Sequence, residues 1–163
     1  MRQVSFDDLD PSAVRESRRS LSTALDTTDV AISHYTVPSG EAFSGSLHTH
    51  YDQEEVFIIL EGTATFQVEE GTIEVPAGEA VRFDRGDFQR GYNGGDVPVV
   101  AIVLGAPGAH HDLSQSKALI DCERCGERTL HDIDRPDDAT EYVRSCQECG
   151  TVNDPGPPPG LVD

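Results

Sequence analysis

Between Asp29 and Leu104 the apolar residues come in short runs of four to eight, each closed by Gly, Pro, Asn or Asp. That pattern belongs to strands and turns rather than to helices. The runs fall at 30–37, 46–50, 56–60, 64–68, 72–75, 80–83, 88–92 and 99–104. Between them stand Pro38-Ser39-Gly40, Glu61-Gly62, Glu70-Gly71, Pro76-Ala77-Gly78, Arg85-Gly86-Asp87 and Asn93-Gly94-Gly95-Asp96. Evenly spaced short strands with glycine at most corners predict an all-β sandwich or a closed antiparallel barrel, over 28–107. Runs 56–60 and 99–104 are apolar on both faces, so they should be central, or lie under a partner subunit or the N-terminal arm.

The flanks read differently. Residues 1–27 are polar and form an arm, with Asp10-Pro11-Ser12 placed to open a helix running through Leu25. After Ala106-Pro107-Gly108 a polar connector spans 108–121, and a cysteine-bearing module spans 122–152. The tail, 153–163, is rich in Pro and Gly and is expected to be disordered. A chain of 163 residues can hold one ordinary core and one such module, but not two full domains.

Charge narrows the partners. Thirty acidic residues face twelve basic ones, Lys117 is the sole lysine, and the formal charge is −18. This balance opposes nucleic-acid phosphates and anionic membrane surfaces. Self-repulsion of that size becomes tolerable in molar salt, where screening shortens to roughly 3 Å. The composition therefore predicts a salt-adapted protein. No run approaches the ~18 apolar residues of a membrane span and no apolar leader segment precedes the arm, so a cytoplasmic location is expected.

His48-Thr49-His50 places two imidazoles on one face of a strand. Glu55 follows at the wrong parity for an unbroken strand, so Tyr51-Asp52-Gln53 must bend the chain and return Glu55 toward the histidines. Two imidazoles and a carboxylate hold Fe(II) with open positions for a substrate or dioxygen, and would also take Mn, Co, Ni, Cu or Zn. His48-x-His50-x4-Glu55-x6-Gly62 resembles the first motif of the cupin superfamily. Gly78, Gly86 and Asn93 fall in register with the second cupin motif, while Asp84 replaces its proline and Gln89 its histidine; Ala42 stands at the glycine that opens the first motif. The resemblance implies a cupin barrel (a double-stranded β-helix) with His48, His50 and Glu55 as metal ligands. The fourth place would be filled by the Gln89 carbonyl oxygen, a water, or nothing. Arg82 and Arg90 could receive an anionic substrate, but Val81, Phe83 and Gln89 compete for the inward face, and alternation with Gln89 turns Arg90 outward; His34 reads as an ordinary strand residue and the pair His110-His111 as a solvated loop.

Cys122-Glu123-Arg124-Cys125-Gly126 and Cys146-Gln147-Glu148-Cys149-Gly150 are separated by twenty residues between the inner cysteines. Two such knuckles match a tetrahedral Zn(II) site with four thiolates, and the segment resembles a zinc ribbon. Its strands are expected at 128–133 and 141–145, with 134–140 as the loop. A module this small needs metal for stability. A structural zinc is favoured over a redox iron site. Four arginines against eight acids in 122–152 disfavour nucleic acid, leaving a protein partner or the chain's own barrel as the ribbon's contact.

The expected molecule is a cupin barrel, as a homodimer, with an appended zinc ribbon. Two functions stay open: metal-dependent chemistry on a small molecule, by oxygenation or isomerisation, or non-catalytic binding and regulation.

Overall fold

The computed structural model describes residues 1–13, 15–135 and 142–155. The chain folds as an all-β protein with, among the described residues, a single short α-helix, α1 (Leu21–Leu25), and two 3-10 turns, Phe6–Asp8 and Leu113–Gln115. The expected sites of the ribbon loop beyond 135 and of the tail beyond 155 lie outside the described residues.

One sheet runs in the order β1-β2-β9-β4-β7, from β1 (Arg18–Ser20), β2 (Ala31–Val37), β9 (Val99–Ala106), β4 (Glu54–Glu61) and β7 (Ala80–Phe83). The doubly apolar runs become β4 and β9, its inner strands. On β9 fully buried positions alternate with partly covered ones, as expected where both faces are shielded. A second sheet has the order β6-β5-β8, from β6 (Gly71–Pro76), β5 (Thr63–Val68) and β8 (Arg90–Tyr92). Between the sheets Phe43, Phe57, Phe66 and Phe83 pack together, Phe57 edge-on to its neighbours and Phe43 stacked on Phe66, with Val37, Ile59, Val75 and Val99 filling around them. Gly91 is needed there: a Cβ would come within 2.7 Å of the Phe66 ring and 3.0 Å of Phe43.

Both flanks depart from expectation. The arm is mostly extended. Arg18–Ser20 pairs antiparallel with β2, and beyond a 3-10 turn at Phe6–Asp8 only Leu21–Leu25 is helical, capped by the Ser20 side chain accepting from the Thr23 N–H. The weak apolar stripe upstream cannot hold a longer helix, whereas the free edge of β2 can hold a strand. Residues 116–121, expected in a polar connector, belong to β10 (Ser116–Cys122). There Ser116, Ala118 and Ile120 are buried in alternation.

β10 pairs with β11 (Glu127–Asp134), which pairs with β12 (Val143–Cys146), and on its other edge β10 pairs with β3 (His48–His50). β3 in turn exchanges backbone hydrogen bonds with Gln89, beside β8. The cysteine module is thus a lateral extension of the barrel wall, joined through the strand that carries both histidines. The module also reaches past 152: Asn153 is buried, with its amide 2.9 Å from His131 Nε2 and its carbonyl accepting from the Glu123 N–H.

Candidate metal centres

β3 is short and straddled on both edges, which fixes the direction of its alternate side chains. The His48 N–H donates to Gln89 O at 3.0 Å and the Gln89 N–H returns to His48 O at 2.8 Å, so Gln89 faces His48 across a narrow pair. Behind His50 the sharp turn at 51–53 brings in β4, on which Glu55 lies opposite Phe83 and Gly105. The ligand atoms of His48, His50 and Glu55 all lie within 4.8 Å of one another. The wrong-parity spacing is resolved by the bend, as the sequence requires.

The tautomers suit a metal. His48 Nδ1 is 3.0 Å from Ser46 O, a pure acceptor, so the ring carries its proton there and presents a bare Nε2. His50 Nδ1 is held at 2.8 Å by Ser116 Oγ of β10. Burial holds both rings neutral, pushing His48 down to about 4 and His50 to about 2. Glu55 is pushed up to about 7 by burial, against the opposing charge of Arg18 and the hydrogen bond from Gln89. Two imidazoles with their Nδ1 atoms engaged beside a carboxylate are a donor set that could hold a divalent ion. Gln89 turns its Nε2 to Glu55 Oε2 at 2.8 Å, while its Oε1 is buried without a partner. As placed, Gln89 orients the carboxylate.

His111, expected in a solvated loop, packs against this centre instead. Its ring stacks on His50 with centroids 4.2 Å apart, and its Nε2 is 3.7 Å from Glu55 Oε1. With His50 and Asp52 it forms a second set of possible ligands within 4.8 Å. The loop is locked by Gln53, whose amide donates to the carbonyls of Pro107, Gly108 and His110 at 2.6, 3.0 and 3.2 Å. Gly105 leaves the space: a Cβ would meet Gln53 Oε1 at 2.7 Å and His111 at 3.2 Å. Only the position of His111 just past the last barrel strand hinted at this.

These groups line a cavity of about 140 Å³ that also takes in Arg15 and Arg18 of the arm and Tyr142 and Arg144 beside the ribbon. Arg90, expected to point outward, is 6% exposed; burial, then Arg144 and Arg15, lower it to about 10. Arg82 is exposed and paired with Glu54 and Asp84, away from the cavity. His34 packs on Phe6.

The four cysteines converge. Cys122 and Cys149 sulfurs are 3.6 Å apart, Cys125 and Cys146 3.9 Å, and all four lie within 4.8 Å. Four sulfurs at about 2.3 Å from a central ion would stand about 3.8 Å apart. The two knuckles match each other: the Gly126 and Gly150 N–H groups close on Cys122 O and Cys146 O at 2.9 and 2.8 Å, each glycine at φ 73. Thr129 Oγ1 and Thr151 Oγ1, each 3.3 Å from a sulfur, add polar contacts.

Residues 33–105 match the family described as Cupin domain. Among solved structures, a sugar phosphate isomerase from a cupin superfamily, from Silicibacter pomeroyi, superposes with TM-score 0.67 at 16% identity over 94% of this chain and 99% of that one. A cupin protein from Bacteroides fragilis gives 0.52 at 20% identity, over 66% and 82%. A protein with a double-stranded β-helix domain from Klebsiella pneumoniae gives 0.55 at 22%, over 69% and 96%. No curated protein matches the chain.

Proposed function

We propose that this cupin-fold barrel holds one divalent first-row metal on His48, His50 and Glu55 and catalyses isomerisation of a small hydroxy-carbonyl compound. The observation that carries the reading is the convergence of three ligand atoms within 4.8 Å, on buried His48 and Glu55 and part-buried His50, with both imidazole Nδ1 atoms already engaged. A metal bound there would polarise a substrate oxygen. His111, buried and lowered to about 4, is a neutral base at the same cavity, able to take a proton from one carbon and return it to the next. Gln89 holds the Glu55 carboxylate in place. The Silicibacter neighbour's name fits this reaction class, although its likeness carries the fold alone.

The cysteines, as a Zn(II) site, staple the wall that carries His48 and His50. Two Cys-x-x-Cys pairs holding a metal suit a reducing, cytoplasmic setting. The charge of −18 suits a salt-rich one.

The absence of an imidazole at 89 favours a second reading, a barrel that binds its ligand without turnover. The two separate in D2O. Metal-loaded protein should exchange carbon-bound hydrogen for deuterium in one of a panel of aldoses, ketoses and their phosphates, followed by proton NMR. His111→Ala should lose the exchange and keep the metal. Binding of a panel member with no exchange would establish the non-catalytic reading instead.

A further inference from the structure

The chain carries 30 acidic residues and 12 basic ones, yet among the described residues its cavity is lined by three arginines and one carboxylate, Glu55. This reversal is built from two distant pieces of chain. Arg15 and Arg18 come from the arm, where they donate to neutral oxygens, Ala42 O at 2.6 Å and Ser33 Oγ at 2.9 Å. Arg144 comes from β12 of the ribbon sheet and donates to Ser46 Oγ at 3.1 Å, the same serine whose carbonyl faces His48 Nδ1. The guanidinium of Arg18 is near enough to act on Glu55 and His111, and that of Arg144 on His48 and Arg90.

Three guanidiniums, two from the arm and one from β12, line one half-enclosed cavity and offer an anion several N–H donors. A planar carboxylate is satisfied by one guanidinium fork; donors brought in from two sides suit an anion with several oxygens pointing in different directions. We propose that Arg15, Arg18 and Arg144 form a phosphoryl-binding subsite, so that the small molecule brought to the barrel is a phosphate monoester. Its catalytic meaning rests on the metal reading above, while the subsite itself does not need the metal. The arm and the ribbon gain a shared purpose: each delivers cations to the open end of a barrel whose own surface is acidic.

The probe is inorganic phosphate, titrated calorimetrically into the full-length, zinc-loaded chain at the lowest salt that keeps it folded. Wild type and His50→Ala are both used, so that phosphate is also read where the barrel metal cannot ligate it. One phosphate per chain is expected in both. Arg15→Gln, Arg18→Gln and Arg144→Gln should each weaken it about tenfold or more, whereas Arg82→Gln, outside the cavity, should not. Should a Gln variant fail to fold, the Arg→Lys variant at that position replaces it, with a smaller loss expected because charge stays and the fork goes. No phosphate binding up to about 10 mM, arginine variants that bind like wild type, or succinate binding tighter than phosphate would each overturn the proposal. Phosphate binding in a wild-type chain that takes up no barrel metal would refute the metal reading and leave the subsite standing.

Discussion

Glu55 sits where stability and function pull in opposite directions. Burial raises its carboxyl from 4.5 to about 7. A raised acid holds its proton more tightly when folded, so metal-free protein loses stability as pH climbs from 4.5 to about 7, and the loss stays complete above that range. A rise of that size corresponds to about 3 kcal/mol. Glu55→Gln keeps an acceptor for the Gln89 amide and removes the charge. Metal-free Glu55→Gln should therefore be more stable than wild type by about 2–3 kcal/mol at about pH 8, with no advantage at about pH 4.5. Denaturant melts of chelated protein check this. An equal advantage at both pH values would mean that Glu55 is not the buried titrating group. With a divalent ion present, the order at pH 8 should reverse, since the charge that costs the empty site is what binds the metal.

At the scale of elements, the consequential pairing is β3 with β10. A cysteine module appended on a connector could unfold and spare the barrel; a module hydrogen-bonded to the histidine strand cannot. Cys149→Ser should release the ribbon metal and also expose the amides of Thr49 and Tyr51 to hydrogen exchange, because Thr49 loses its register with Lys117 and Tyr51 its bond to Gln115 O, while the His48 amide stays on Gln89 O. Unchanged protection of Thr49 and Tyr51 in that variant would show the ribbon to be independent after all. The sequence singled out both groups of candidate ligands because ligation demands particular residue types at particular spacings: His48, His50 and Glu55 around a bend, four cysteines on two glycine knuckles. It also disclosed β4 and β9 as inner strands through their doubly apolar faces. It did not disclose β10, whose alternating Ser116, Ala118 and Ile120 are too weakly apolar to stand out from a connector. His111 and the arginines were hidden for another reason. Their roles depend on long-range closure, through the Gln53 clamp and the approach of arm and ribbon, and no local pattern records that.

For the whole molecule, the charge of −18 opposes compaction everywhere except at the arginine-lined cavity. Screening weakens the carboxylate repulsion, so the melting temperature should climb as KCl is raised toward the molar range. A flat or falling trend would remove salt adaptation from the account. The central claim, a metal in the barrel distinct from the one in the ribbon, is tested most directly by counting divalent ions bound to the full-length chain. Truncation near Gly108 is unsuitable, since it strips β10 from β3. Wild type is predicted to hold two ions per chain. His50→Ala should hold one, retained by the cysteines. Gln89→His should hold two, with the barrel ion bound more tightly because an imidazole replaces a neutral amide beside Glu55 and His48. One ion per chain in wild type, unchanged in both variants, would contradict the account.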